Sequence, residues 1–339
     1  MRITLKDIAK ALNLSASSVS KALNDSHEIS QETKKLVKDY AEKHHFRINK
    51  IAQTLKTGKT YSIGVILFNI SNNFVAQMLD GIQVVSEQAK YDIIIMQSRN
   101  NELLEKKAIE VLRNRGVDGL LISPINHQSS ETELRALQEN GIPVVLIDRI
   151  FHNLHTHKVG VNNFEGAYRA TKHLVDQGKK RLMHITGKDL GITEERLNGF
   201  KAALATANIP FHPDLLLACD YTEGSQVEIE IKRKIVQLLD AGQKPDAIFC
   251  ATDDITSRTL GVLAELNIAV PTEIALIGFS NTPYAHALNP ALSAVVQPAF
   301  EMGKLGFQKL IELVNKKHQE VAFETIALDT ELHIRKSSL

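Results

Sequence analysis

Polar side chains recur just after the apolar runs of this 339-residue sequence. Arg149 directly follows Asp148, which places a fixed fork of guanidinium donors beside a carboxylate that accepts hydrogen bonds from hydroxyl groups. Aromatic rings in the same set can supply flat apolar walls, so the set suits a small polyhydroxylated ligand, most simply a sugar. The candidate ligand-binding residues are Asn72, Asn73, Phe74, Asp148, Arg149, Asn162, Arg196, Tyr221, Asp253 and Ser280.

A second candidate surface lies near the N-terminus, on a helix that the pattern predicts to begin after Ser15. The Ser15 hydroxyl can accept a hydrogen bond from the first turn, and Val19, Ala22 and Leu23 give the helix an apolar inner face. Its outer face carries small or hydroxylated side chains and one cation, which lets a helix enter a DNA major groove about 12 Å wide. The outer residues are Ala16, Ser17, Ser18, Ser20 and Lys21.

Two further short helices are predicted around that surface. Apolar residues between Leu5 and Leu12 recur at helical spacing, and Ser30 is a good N-cap for a third helix. The spacing predicts a small three-helix core of the helix-turn-helix type. The residues expected to face inward from the third helix are Thr33, Leu36, Val37, Tyr40, Ala41 and His44.

Charge is distributed unevenly along the chain. Residues 1–60 carry a net charge of +6, and because the whole chain has a net charge of +1, the remainder carries −5. A basic head on a slightly acidic body is typical of a nucleic-acid-binding module joined to another domain.

From Ser62 onward the pattern alternates between apolar runs and amphipathic helices, which indicates right-handed βαβ units and parallel sheets. The first series of strands is expected over residues 63–147. A second series is expected to begin near Val159, and the last strand is expected near residues 326–334. The fold class is therefore α/β: an all-α head joined to a two-lobed body. We expect lobe one to comprise about 61–160 and 292–320, and lobe two about 161–291 and 321–339, with ligand bound beyond the strand ends.

The segment TLKDIAKALNLSASSVSKALN, followed by NKIAQTLKTGKT, resembles the lactose-repressor (LacI/GalR) family of bacterial transcription regulators. Later segments, including VDGLLISP, GIPVVLIDR, VPTEIALIGFSN and PALSAVVQP, resemble that family in the same order. The resemblance implies a helix-turn-helix domain over 1–47, a hinge helix and linker over 48–60, and a periplasmic-binding-protein-like effector-binding and dimerisation domain over 61–339. It also implies a homodimer on a near-palindromic operator.

The hinge is too short to be a stable helix in isolation, because isolated helices need roughly 12–15 residues. In the family this helix forms on DNA, and the position matching Leu55 inserts an apolar wedge into the minor groove. The resemblance extends the expected DNA contacts to Thr4, Ser15, Asn24, Asn49, Ala52, Leu55 and Lys56.

The chain also departs from the family pattern. Ile48 replaces a common proline at the entry to the hinge. Ser280 stands where many members have Asp, Thr252 where they often have Asn, and Asn73 where they often have Pro. Loss of the acidic group at position 280 removes a strong hydroxyl acceptor, so the identity of the effector is left open.

The sequence disfavours two other classes of protein. A sugar-binding transport protein would need a signal peptide, whereas MRITLKDIAK has no apolar core and predicts a cytoplasmic protein. A sugar-metabolising enzyme would need a catalytic constellation, and none can be assembled. Cys219 and Cys250 are expected to be reduced thiols. The cluster of His152, His155 and His157 lacks a further metal ligand, so neither a metal nor a cofactor is expected.

The sequence is therefore interpreted as that of a ligand-responsive repressor of carbohydrate uptake or catabolism genes. The sequence does not specify the operator, repression versus activation, or whether the effector induces or co-represses.

Overall fold

The computed structural model describes residues 3–23, 25–46, 58–188, 191–220, 226–316 and 322–339. The chain divides into two compact units, Met1–Thr60 and Tyr61–Leu339, which we call the head and the body.

The described part of the head contains three helices, α1 (Leu5–Ala11), α2 (Ala16–Leu23) and α3 (Gln31–Lys43). Hydroxyl side chains cap all three: Thr4 and Asp7 form a reciprocal capping box at α1, and the hydroxyls of Ser15 and Ser30 accept from backbone amides three residues ahead. These bonds satisfy amides that have no partner inside the helix. Ile8, Val19 and Val37 are fully buried at the centre of the core.

The inward face of α3 differs from the predicted one. Leu36 is 51% exposed and His44 is also exposed, whereas Lys34 is only 6% exposed. The Lys34 ammonium lies 3.2 Å from both the carbonyl and the carboxylate oxygen of Asp25. The lysine therefore buries its aliphatic stem while its charge stays paired, an arrangement that an apolar pattern does not reveal.

The described residues of the body form two six-stranded sheets flanked by helices. The strands are β1 (Ser62–Leu67), β2 (Asp92–Gln97), β3 (Gly119–Ile122), β4 (Val144–Asp148), β5 (Lys158–Val161), β6 (Leu182–Gly187), β7 (Leu216–Cys219), β8 (Ala247–Cys250), β9 (Ala275–Phe279), β10 (Ser293–Val296), β11 (Thr325–Leu328) and β12 (Glu331–His333). The helices are α4 (Asn73–Ala89), α5 (Glu102–Asn114), α6 (Glu131–Glu139), α7 (Asn163–Asp176), α8 (Gly191–Thr206), α9 (Val227–Asp240), α10 (Asp253–Glu265) and α11 (Ala299–Asn315), with 3₁₀ turns at Pro213–Leu215 and Lys336–Ser338.

The two sheets define the two lobes. Lobe one has the strand order β11-β5-β4-β3-β1-β2 and lobe two the order β12-β10-β9-β8-β6-β7. All pairs are parallel except β10 with β12. Strands such as β3, β4 and β8 are buried along their whole length, as expected where helices cover both faces of a parallel sheet.

Two strands lie in a different lobe from the one that the sequence suggested. β10, expected in lobe one, pairs with β9 in lobe two, and β11, expected in lobe two, pairs with β5 in lobe one. β5 spans the expected boundary near residue 160, where the second series of strands was expected to begin, and it pairs with β4 in lobe one. The predicted last strand is two strands, with β11 in lobe one and β12 in lobe two. The chain therefore crosses between lobes three times, after β5, β10 and β11. Apolar runs identify a strand but not its neighbours, which is why the pattern missed these pairings.

Glycines allow a close approach of α4 and α11. A Cβ atom built on Gly303 would lie 2.0 Å from the Met78 carbonyl oxygen, and one on Gly81 would lie 2.0 Å from the Phe300 carbonyl oxygen. Any larger side chain would force the two helices apart. This packing fixes the N-terminal end of α4, which lines the cleft described below. Within the described residues, no helix is long and apolar enough to cross a membrane.

Candidate functional site

The candidate DNA-reading face of α2 is accessible in the head. Ala16 and Ser17 are exposed, and Ser18, Ser20 and Lys21 are half-buried. The Ser15 hydroxyl accepts from the Ser18 amide at 2.9 Å and lies 2.8 Å from the Ser18 hydroxyl. Two of the predicted base-contacting serines are therefore engaged in capping their own helix.

Thr4 and Lys21 also have partners inside the head. Thr4 donates to Asp7 through its amide at 2.9 Å and its hydroxyl at 2.7 Å, and these bonds lower the pKa of the Asp7 carboxyl. Lys21 forms an ion pair with Glu28. The predicted contacts Asn24, Asn49, Ala52, Leu55 and Lys56 lie outside the described residues, as does Tyr221 in the body.

A cleft of about 890 Å³ lies between the two lobes, at the carboxyl ends of the strands. This is where open α/β sheets bind ligands. Seven of the ten candidate ligand-binding residues line it: Asn72, Asn73, Phe74, Asp148, Arg149, Arg196 and Asp253. Asn72 also caps α4, because its side-chain oxygen accepts from the amides of Phe74 and Val75.

Arg149 is held against lobe one by several contacts. It is 4% exposed, and its guanidinium donates to the carbonyl of Ile125 at 3.2 Å and to the side-chain oxygen of Asn100 at 2.8 Å. The guanidinium carbon lies 5.0 Å from the centre of the Phe68 ring. These contacts fix the plane of the Arg149 guanidinium group. A fixed plane is needed for directional hydrogen bonding to hydroxyl or carboxylate groups.

Asp148 is buried beside Arg149, 3.8 Å from its Nε, and accepts from the Ser123 hydroxyl at 3.2 Å. Burial raises the pKa of Asp148, while Arg149 and Arg196 oppose that shift. The residue adopts a left-handed backbone conformation with φ of 67°, which is uncommon outside glycine and occurs here at the mouth of a binding cleft.

Arg196 is the corresponding arginine of lobe two. It donates to the side-chain oxygens of Asn163 at 2.7 Å and Gln297 at 2.9 Å, and also to the Ala251 carbonyl. Its guanidinium carbon lies 3.6 Å from the centre of the Phe279 ring. Burial lowers the pKa of Arg196 to about 9. The side chain is thus oriented before any ligand binds, which reduces the entropic cost of binding.

Asp253 begins α10, and the Ser280 hydroxyl donates a hydrogen bond to it. Burial raises the pKa of Asp253, and the bond from Ser280 opposes that rise. Ser280 does not itself line the cleft, so the structure places it behind Asp253 as a support.

Asn162 is also outside the lining: it caps α7 by accepting from the Glu165 amide at 3.0 Å. Capping its own helix is therefore the role that the structure gives Asn162.

Several lining residues lie outside the predicted set. The end of β2 and the segment after it contribute Gln97, Arg99 and Asn100, and the second crossing contributes Gln297. The rule that ligands bind beyond strand ends could have identified the first three. Gln297 could not be found in this way, because its strand was assigned to the wrong lobe. The remaining lining residues are Phe68, Asn69, Ile70, Ser71, Ile192, Thr252, Asp254, Ser257 and Arg258.

The histidine cluster has structural roles. His152 donates to the Ser129 carbonyl at 2.9 Å and accepts from the Leu154 amide at 3.0 Å, and His157 accepts from the Glu324 amide at 3.1 Å. The described part of the chain contains no group of His, Cys, Asp and Glu that could hold a metal ion.

Both cysteines are buried, and burial raises their pKa to about 12. Neutral buried thiols are poor nucleophiles and poor metal ligands.

The fold and the two surfaces define a class of protein: a helix-turn-helix head on a two-lobed, periplasmic-binding-protein-like body. Residues 4–49 match the family described as bacterial regulatory proteins of the lacI family, and residues 171–338 match the periplasmic binding protein-like domain. The chain belongs to the lactose-repressor family of bacterial transcription regulators, because it is 30% identical over 341 residues to the transcriptional regulator RegA of Clostridium saccharobutylicum, covering 100% of both chains.

Other similarities agree with this assignment. The chain is 29% identical over 321 residues to the transcriptional repressor PurR of Aliivibrio salmonicida, covering 94% of each chain. Among solved structures, the lac repressor dimer bound to operator and the anti-inducer ONPF superposes with a TM-score of 0.85 at 20% identity, covering 100% of both chains. At that identity, the superposition supports the fold alone.

Proposed function

We propose that this chain is a ligand-responsive repressor that binds a near-palindromic operator as a homodimer in the cytoplasm and takes a sugar or sugar derivative as its effector. One observation carries the proposal: the same chain combines an accessible, small-residue face on α2 with a pre-oriented arginine and carboxylate cleft between two lobes. RegA and PurR, which resemble it along nearly their full length, are named as transcriptional regulators and support the assignment.

In the head, Ala16, Ser17 and Lys21 are the proposed base readers. Ala16 and Ser17 are too short for bidentate contacts, so specificity depends on Lys21, bridging water and the hinge more than it would with longer side chains. Selection from a random DNA pool should return a two-fold symmetric site, because each head reads only a few base pairs. Lys21→Ala should weaken binding to that site severely, and Ser17→Ala should change the base preference.

In the hinge, Leu55 is the proposed wedge. Leu55→Ala should reduce both DNA bending and operator affinity, while calorimetric binding of effector stays unchanged. A variant that binds and bends the selected site like the parent would make residues 49–55 a passive tether.

In the body, Arg149, Arg196 and Asp253 are the proposed effector contacts. Asp148 and Asp253 accept from ligand hydroxyls, and the two arginines donate from opposite lobes, so a bound ligand contacts both lobes at once. Such a ligand shifts the lobe arrangement only by its differential affinity for the open and closed states. No catalytic step is part of this proposal.

The test of the cleft compares Arg196→Ala with the exposed Arg113→Ala, at the far end of α5 from the cleft. D-Ribose, D-glucose, cellobiose and the phosphates of the two monosaccharides serve as probes in titration calorimetry. Arg196→Ala should abolish binding of the probe that the parent binds and leave operator affinity almost intact, whereas Arg113→Ala should preserve both. Loss of DNA binding in Arg196→Ala would instead indicate a folding defect.

A further inference from the structure

A pair of amide side chains joins the two lobes directly. The Asn281 side-chain amide donates to Gln77 Oε1 at 2.8 Å, and the Gln77 side-chain amide donates to the Asn281 carbonyl at 3.0 Å. Gln77 belongs to α4 in lobe one, and Asn281 follows β9 in lobe two. Asn281 is only 4% exposed, so water does not readily replace these bonds.

Asn281 is in turn bound to the second crossing of the chain. Its side-chain oxygen accepts from the Gln297 amide at 3.1 Å, and its side-chain nitrogen donates to the Gln297 carbonyl at 2.7 Å. Both amide protons of Asn281 are thereby used, one toward Gln77 and one toward Gln297. A single orientation of the Asn281 side chain therefore makes the hydrogen bonds to both Gln77 and Gln297.

Gln297 completes the connection to the cleft. Its side-chain oxygen accepts from Arg196 Nη2 at 2.9 Å, and Gln297 itself lines the cleft. A continuous series of hydrogen bonds thus runs from Gln77 of lobe one, through Asn281 and Gln297, to the guanidinium of Arg196. Gln77 also lies one helical turn beyond Asn73 and Phe74, which line the cleft from the other side.

We infer that Gln77 is a positioning residue for Arg196, acting across the lobe boundary through Asn281 and Gln297. Docking of α4 on lobe two fixes Gln297, and Gln297 holds the guanidinium in the plane that it presents to the cleft. When the lobes separate, Gln77 withdraws from Asn281 and the restraint on Gln297 weakens. The role assigned to Arg196 rests on the proposed function, whereas the inter-lobe connection itself does not depend on it.

The connection is tested in the full-length protein by substituting Gln77→Leu, which keeps most of the volume and removes both hydrogen bonds. Gln83→Leu is the matched control, because Gln83 is exposed on the same helix and donates only to Glu87 of that helix. Spin labels at Arg115→Cys and Lys180→Cys, one exposed site in each lobe, report the inter-lobe distance when labelled chains are diluted with unlabelled ones. Cys219 and Cys250 are buried and should not react with the label.

Gln77→Leu should broaden the distance distribution at least about twofold, because the lobe arrangement loses a specific restraint. Gln83→Leu should leave the distribution unchanged. Equal distributions for Gln77→Leu and the parent, or an equal change in Gln83→Leu, would overturn the inference. Gln77→Asn, which is too short to reach Asn281, repeats the test if the leucine variant is unstable.

A second readout reports on Arg196 itself. Its Nε–H donates to Asn163 in a buried position, and solvent exchange of that proton can be followed in protein labelled with ¹⁵N-arginine. Exchange should accelerate about tenfold in Gln77→Leu, since the guanidinium loosens, and by less in Gln77→Glu, which keeps the acceptor for Asn281. Unchanged exchange would overturn the positioning role. Neither readout needs an effector, so failure here is distinct from failure of the cleft to bind a sugar.

Discussion

Lys21 of α2 and Glu28, seven residues further along the head, form an ion pair between side chains that are 44% and 52% exposed. The lysine proposed to read the operator is thus already paired with an acid. A DNA phosphate or base edge must compete with Glu28 for the same ammonium protons. We therefore expect Glu28 to weaken DNA binding in two ways, by occupying Lys21 and by repelling phosphates.

Glu28→Gln should accordingly tighten operator binding by about 3- to 10-fold at low salt, with a smaller gain as salt screens the charges. Fluorescence anisotropy on the site selected by the parent protein measures the change. Glu42→Gln removes the same charge from an exposed position on α3 and serves as the control. Equal gains in the two variants would mean that only net charge matters and that the pair with Lys21 does not.

Ser15→Ala should loosen the DNA-reading helix by removing its N-cap. The Ser15 hydroxyl accepts from the Ser18 amide at 2.9 Å, and loss of an N-cap of this kind costs about 1 kcal/mol. We expect the first-turn amides of α2 to exchange roughly fivefold faster, as measured by hydrogen–deuterium exchange. Ser17→Ala, two residues on and exposed, should leave those amides unchanged. If Ser17→Ala accelerates exchange equally, the cap does not limit opening of the helix.

Glu105 of α5 should make the stability of lobe one depend on pH. Its carboxylate is fully buried, accepts from the Ser130 hydroxyl at 2.7 Å and from the Ile125 amide at 3.0 Å, and has a pKa raised mainly by burial. The folded state therefore binds the proton more tightly than the unfolded state. Protonated Glu105 therefore stabilises the folded state. This stabilisation is fully present below the ordinary pKa of glutamate, and it is lost as the pH rises through the raised pKa that Glu105 has in the folded state.

Glu105→Gln, which cannot ionise, should abolish that part of the pH dependence. Melting temperatures are measured by calorimetry from pH 4 upward. The melting temperature of Glu105→Gln should rise relative to that of the parent as the pH increases. Glu110→Gln, on the exposed side of the same helix, should follow the parent. Parallel curves for the parent and Glu105→Gln would show that Glu105 does not titrate in this range.

The local pattern of the sequence predicted the elements better than their neighbours. Ser15 and Ser30 cap the helices expected of them, because capping depends on residues a few positions away. By contrast, the assignment of β10 and β11 to a lobe depends on pairing partners more than a dozen residues distant, and the pattern carries no such information.

The same limit applies to the cleft. Arg149 and Arg196 were recognisable as donors, and both line the cleft. Their supports were not recognisable: Asn100, Asn163 and Gln297 orient the two guanidinium groups through contacts made only after folding. Asn162 shows that a polar residue after a strand is equally suited to cap the next helix.

A matched pair of glycine substitutions tests the packing that holds the cleft. In Gly303→Ala the new methyl group would lie 2.0 Å from the Met78 carbonyl oxygen, so α4 and α11 must separate, and overpacking of this kind costs about 1–3 kcal/mol. In Gly261→Ala, within α10, no atom lies within 4 Å, and alanine should stabilise the helix by about 0.5–1 kcal/mol.

Scanning calorimetry should therefore show a lower melting temperature for Gly303→Ala and a higher one for Gly261→Ala. Because α4 also carries Gln77, Gly303→Ala should in addition broaden the inter-lobe distance distribution, and Gly261→Ala should not. A Gly303→Ala protein as stable as the parent would show that α4 and α11 adjust without cost, and the close approach of these helices would then not be what fixes the lobe-one side of the cleft.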